Sequence, residues 1–139
     1  MNIKGIMEEI GNNAKAAAHS LAKVDDETKN RGLRGISSSL RKNSAQIIEA
    51  NNIDMDLGAK KGLAPSILDR LKINEDRVQS MAVGLEEIAS FDNPVGVVKD
   101  TWERPNGLKI FRVSVPLGVI GVIYESRPNV TVDAGGLCL

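Results

Sequence analysis

The sequence is poor in the residues from which the most recognisable sites are built. It has one cysteine, Cys138, and one histidine, His19, in 139 residues. A lone cysteine excludes an internal disulfide and fits a reducing compartment, so a cytoplasmic location is expected. No cysteine or carboxylate stands at ligand spacing from His19, which therefore reads as a solvated or core-edge residue and not as a metal ligand. Aromatic residues make up only 3% of the chain, too few for the stacking platforms that bind single-stranded nucleic acid. Eighteen basic side chains balance eighteen acidic ones. Without a basic field or a polybasic tail, neither nucleic acid nor a membrane surface is an expected partner. The apolar runs are too short to span a bilayer, and the charges among Met1–Glu9 exclude a signal peptide.

What is present begins with helices. The length suits one ordinary domain with a real core. Ile3, Ile6, Met7, Ile10, Ala14, Ala17 and Leu21 recur at three- and four-residue steps and predict an amphipathic helix over about 3–22. A second helix follows Asp25-Asp26-Glu27, with its stripe at Leu33, Ile36, Leu40, Ile47 and Ile48. Asn51-Asn52 is expected to break or bend it, and a short piece from Ile53 stops at Gly62. Pro65 suits the first turn of a helix through Leu71. Asn74 can cap the next, whose stripe is Val78, Met81, Ala82, Leu85 and Ile88. The charge runs Asp69-Arg70, Lys72 and Glu75-Asp76-Arg77 read as a solvated face. The first ninety residues thus read as packing without visible chemistry.

The character then changes. Val95–Glu103 and Leu108–Val115 are strand-like, and Asn106-Gly107 between them is a hairpin signal. A two-stranded ribbon is marginal alone, so this one is expected to extend another sheet, including that of a partner chain. From Pro116 the chain passes through Val119-Ile-Gly-Val-Ile-Tyr124, which reads as a buried strand. A polar crest follows, Glu125-Ser126-Arg127-Pro128-Asn129, and then the start of a helix. Strand, polar loop and helix N-terminus form the usual ligand edge of an open α/β sheet, and the chemistry is expected there. The chain stops inside the apolar segment Ala134–Leu139 without a cap, so a longer protein is expected.

Val115-Pro-Leu-Gly-Val-Ile-Gly-Val-Ile-Tyr-Glu-Ser-Arg-Pro-Asn-Val-Thr-Val-Asp133, followed by Gly136-Leu-Cys-Leu139, closely resembles the gamma-glutamyl phosphate reductases of the aldehyde dehydrogenase superfamily. Asp100-Thr-Trp-Glu-Arg-Pro-Asn-Gly-Leu-Lys-Ile110 looks like the hairpin of the same family. The resemblance implies an α/β fold divided into a helical segment (1–94), an oligomerisation hairpin (95–117) and the opening of a Rossmann-like, NADP-binding domain (118–139).

It also implies NADPH-dependent reduction of L-glutamyl 5-phosphate to L-glutamate 5-semialdehyde in proline biosynthesis. A homo-oligomer and the upstream glutamate kinase are the implied partners. The family's nucleophilic cysteine lies in a later domain, so Cys138, in an apolar run without a basic neighbour, is expected to be a small buried hydrophobe. Asn129 stands where the superfamily places an asparagine that donates to the oxyanion; the alternative is that it caps the following helix. Arg127 meets a substrate anion or pairs with Glu125. Tyr124, Glu125, Ser126, Arg127 and Pro128 are expected to line the dinucleotide crevice. The rival readings are an aldehyde dehydrogenase acting on a free aldehyde and a non-catalytic assembly piece.

Overall fold

The computed structural model describes residues 2–139. By contacts the chain forms two units, each drawn from separate stretches: 2–26 with Phe91–Ile120, and Glu27–Ser90 with Gly121–Leu139.

In the first unit, α1 (Ile3–Leu21) starts where the Asn2 side chain accepts the Gly5 amide at 3.1 Å. Its apolar stripe is there as expected, but no residue of the helix is buried, and Ile3, Ile6, Met7 and Ile10 are all exposed. Strands β1 (Val98–Glu103) and β2 (Lys109–Val113) pair antiparallel, with Trp102 opposite Ile110 and Asp100 opposite Arg112. An ion pair at 2.7 Å ties Arg112 to Asp100 across the ribbon. The turn is not the two-residue kind that Asn-Gly suggests, in which both central residues need positive φ. Only Gly107 has positive φ, +82°. The Gly107 amide donates to the Arg104 carbonyl at 2.8 Å and the Arg104 amide to the Leu108 carbonyl at 2.9 Å. The loop is therefore three residues long, a type I turn with Pro105 in its favoured position and glycine in the left-handed one.

The second unit holds the core. Its helices are α2 (Asp26–Lys42), α3 (Ser44–Lys60), α4 (Pro65–Leu71), α5 (Glu75–Ile88) and α6 (Asn129–Cys138). Helix α5 supplies most of the buried surface, through Val78, Met81, Ala82 and Leu85, with Ala89 just beyond its end. Leu33 of α2 packs with Leu85 and Ala89, while Leu40, Ile47 and Ile48 cover Val78 and Met81. A polar clasp also joins α2 to α5. Ser37, fully buried, donates to Glu86 at 2.7 Å, and Arg41 donates to Ser37, Gln79 and both carboxylate oxygens of Glu86. The Arg41 guanidinium and the Ser37 hydroxyl hold the Glu86 carboxyl at about 2, far below its ordinary range.

Two expectations need correction. The helix break falls at Asn43, not at Asn51-Asn52, which lies inside α3. The Asn43 side chain donates to the Ser39 carbonyl at 2.8 Å, which also accepts the Asn43 backbone amide at 3.0 Å. The amide of Asn51 is committed elsewhere, as described below, and tertiary bonds override its breaking tendency. The second correction concerns Val119–Tyr124, where no strand forms among the described residues. A central strand exists only through the ladder on its flanks. No described segment pairs with this one, and Val119, Ile120, Val122, Ile123 and Tyr124 are all exposed. The C-terminal glycine of α3 does behave as expected. The Leu63 amide donates to the Gly58 carbonyl at 3.1 Å and the Gly62 amide to the Ala59 carbonyl at 3.0 Å, a complete Schellman motif.

Helix α6 lies on α5 through a glycine. A Cβ on Gly136 would stand 2.5 Å from the Leu85 Cδ2 and 3.2 Å from the Ile88 Cδ1, whereas one on neighbouring Gly135 would meet nothing within 4 Å. Leu85 is almost wholly buried, so its methyl has nowhere to move. Gly135→Ala should therefore stabilise the fold by about 0.5–1 kcal/mol through helix propensity alone. In Gly136→Ala overpacking of about 1–3 kcal/mol opposes that gain, and the thermal midpoint should fall. Midpoints of the two variants measured side by side check this; equal shifts would exclude the close approach.

Candidate active-site cleft

Two stretches of the helical unit face one another across a cleft of about 450 Å³. One wall is the connection from α4 to α5 with the first turns of α5, and the other is the crest before α6 with the first turns of α6.

The first wall is fixed by side chains that bond to backbone. Asn51, almost wholly buried, donates through Nδ2 to the Leu71 carbonyl at 2.8 Å and accepts the Ile73 amide on Oδ1 at 2.6 Å. One amide thus pairs with the chain on both sides of Lys72, as a neighbouring strand would. Asn74 caps α5 as expected, accepting the Arg77 amide at 2.9 Å. Arg77 in turn reaches back, donating to the Lys72 carbonyl at 2.5 Å and to both the carbonyl and the carboxylate of Asp69.

The second wall begins at Ser126, whose φ of +54° is left-handed and turns the chain into α6. Pro128 occupies the cap position, and the Val130 and Thr131 amides close on the carbonyls of Arg127 and Pro128 at 3.1 and 3.3 Å. Asn129 is the first helical residue. Its Nδ2 donates to the Asp133 carboxylate, one turn along, at 2.9 Å. The helix has no side-chain cap, so the capping alternative for Asn129 does not hold.

Four basic side chains, Arg70, Lys72, Arg77 and Arg127, line the cleft against two carboxylates, Asp69 and Asp133. Arg77 is spent on Asp69. Among the described residues no ion pair holds Arg70, Lys72 or Arg127, and Arg127 does not pair with Glu125. An anionic group entering the cleft therefore meets positive charge that is not already neutralised.

Of the residues expected at the site, Arg127, Pro128 and Asn129 come together here, while Tyr124, Glu125 and Ser126 stand outside the lining. The Tyr124 hydroxyl bonds instead to that of Thr131. Asp69, Arg70, Lys72 and Arg77, read from sequence as a solvated face, form the opposite wall. Only the capping asparagine among them, Asn74, hints at an organised turn. Cys138 also differs from expectation, for it is exposed. Helix α6 turns Val132, Gly136 and Leu139 inward, at steps of four and three, and Cys138 falls off that face. Among the described residues no cluster of His, Cys, Asp and Glu could hold a metal ion, and no helix is long and apolar enough to cross a membrane.

No family model matches the chain. Individual relatives do. Gamma-glutamyl phosphate reductase of Allorhizobium ampelinum is 54% identical over 137 residues, 99% of this chain and 32% of that protein. The enzyme of the same name from Syntrophomonas wolfei is 52% identical over 134 residues, again 32% of its length. The crystal structure of the gamma-glutamyl phosphate reductase of Thermotoga maritima superposes with a TM-score of 0.87 at 39% identity, covering 93% of this chain and 31% of that one. That of Saccharomyces cerevisiae gives 0.86 at 36% identity, covering 92% and 33%. Over nearly its whole length, this chain is similar to gamma-glutamyl phosphate reductases. It spans about a third of the length of these relatives and corresponds to an N-terminal portion of them. The helix-rich α/β architecture with its small antiparallel ribbon is that of the gamma-glutamyl phosphate reductase crystal structures.

The wall built on Asn51 yields a test. Asn51→Leu keeps the branching and heavy-atom count but leaves the buried Ile73 N–H and the part-buried Leu71 C=O without these partners, at a cost of about 1–3 kcal/mol each. A fall in unfolding free energy of about 2–4 kcal/mol is expected in denaturant titration. A loss below 1 kcal/mol would mean that water or a shifted loop replaces both bonds.

Proposed function

We propose that the whole protein reduces L-glutamyl 5-phosphate to L-glutamate 5-semialdehyde and phosphate with NADPH, a step of proline biosynthesis. The observation that carries this reading is Asn129, with an amide at the mouth of a basic cleft, in a chain 54% identical to a gamma-glutamyl phosphate reductase. In the proposed reaction a thiolate from outside this chain attacks the acyl carbon. Negative charge then gathers on the former carbonyl oxygen, and phosphate departs. Asn129 donates an N–H to that oxygen as its charge develops. Arg127, exposed and in no ion pair among the described residues, meets an anionic group. The nicotinamide cofactor, when bound, supplies hydride. Tyr124, Glu125, Ser126, Arg127 and Pro128 are the residues proposed to lie along it, and their exposed crest with its unneutralised arginine fits a negatively charged dinucleotide. In this reading 1–94 is the helical segment, 95–117 the hairpin and 118–139 the opening of the cofactor domain.

A second copy of the protein is the proposed partner of the hairpin. Trp102 and Ile110 lie on one face of the ribbon, Phe111 and Val113 on the other, and all four are exposed. A ribbon of two strands with apolar groups on both faces has too little core of its own to be stable uncovered.

Two variants of the full-length protein test these assignments. Asn129→Ala should lower kcat about 10²–10³-fold with KM nearly unchanged, because the donor acts on charge present only in the transition state. Since Asn129 caps nothing, the thermal midpoint should hold; near-normal turnover would remove it from the site. Ile110→Lys should shift the protein toward smaller species in sedimentation velocity, and an unchanged assembly would count against the pairing role.

A further inference from the structure

An asparagine amide that must donate has a defect: its two ends are nearly the same size, and a rotation of half a turn presents an acceptor where a donor is needed. What prevents that rotation at Asn129 is visible in the structure. Its Nδ2 lies 2.9 Å from the carboxylate of Asp133, one turn further along α6. An ionised carboxylate only accepts hydrogen bonds, so it holds the amino end and repels the carbonyl end. One N–H is thereby committed along the helix. The other, fixed at about 120° to it by the planar amide, is left for a second acceptor. Asp133 is half-buried, lines the same cleft and forms no ion pair among the described residues. Its bond to Asn129 is the side-chain contact that the structure gives it.

We propose that Asp133 is a positioning residue for the reaction: it fixes the donor end of Asn129 toward the oxygen that becomes negative. This rests on the proposed function, in which Asn129 is the oxyanion donor. An opposing effect exists, since a carboxylate beside a developing oxyanion repels it. Charge repulsion and positioning predict opposite signs when Asp133 is removed, so the balance is measurable.

The experiment is a double-mutant cycle on the full-length protein, with kcat, KM and thermal midpoint read for Asp133→Ala, Asp133→Asn, Asn129→Ala and the pair Asn129→Ala/Asp133→Ala. Asp133→Ala should lower kcat roughly 5- to 30-fold, with KM changed less than about threefold. Asp133→Asn, whose carbonyl oxygen can still accept from Asn129, should recover most of the loss. In the Asn129→Ala background the Asp133→Ala change should have no further effect on kcat. Alanine is a strong helix former, so the midpoint should not fall. An unchanged or raised kcat in Asp133→Ala would overturn the proposal in favour of repulsion, and the same loss in both backgrounds would overturn it in favour of a structural role. A normal kcat in Asn129→Ala is the separate result that would remove the underlying reading.

Discussion

The approach of α6 to α5 at Gly136 sets the geometry of everything beyond it. A helix that lies directly on a neighbour's side chains, with no Cβ between, can neither slide nor roll without opening a void beside Leu85. Asn129 stands seven residues earlier, close to two full turns, at about 10 Å along the axis by the helical rise. Two turns bring it back near the azimuth of the contact. The crest is thereby delivered opposite the α4–α5 connection, and the cleft is what lies between them.

The opposite wall has a different kind of anchor. Residues 72–74 belong to no helix or strand, and apolar packing alone does not hold such a connection to one conformation. Asn51 supplies directional bonds in the core at that point, and Arg77 supplies them at the surface. On the far side of α5, the clasp of Ser37, Arg41 and Glu86 fixes α2 by the same principle. Polar groups thus determine register where leucines and valines would tolerate several arrangements.

Much of this was legible before any coordinates. Helix α4 runs from Pro65 to Leu71 as read, Asn74 caps α5, and the α5 stripe is the core, because caps and periodicity are local causes. Arg127 to Asn129 were read as site residues through a resemblance that spans the chain, and these three line one cleft. What escaped were tertiary effects. Asn51 reads as a helix breaker because its two backbone partners lie twenty and twenty-two residues away. Asp69, Arg70, Lys72 and Arg77 read as solvated because charge spacing carries no information about which wall they face. The segment 119–124 reads as a strand because its composition is that of one, yet strand formation requires partners, and none of the described residues pairs with it.

The division of the helical unit into two stretches bears on how the chain assembles during synthesis. Residues 27–90 emerge first, with Leu33 and Leu85 lacking the cover that α6 provides until the thirty residues 91–120, and then 121–128, have followed. Joining the two stretches means closing that loop, and for thirty free residues the length-dependent entropy is about 3 kcal/mol. The hairpin lies wholly inside the loop. Its closing bonds, from the Gly96 amide to the Ser114 carbonyl at 2.9 Å and from the Ser114 amide to the Val97 carbonyl at 3.0 Å, bring those two points of the chain together. A hairpin forms within microseconds from its own turn, and once it has formed only 91–96 and 114–120 remain as slack. On the same logarithmic scale that shortening is worth somewhat under 1 kcal/mol. Even a ribbon that is marginal on its own shortens the tether whenever it is closed, which makes the return of α6 to α5 easier whatever else its exposed faces go on to bind.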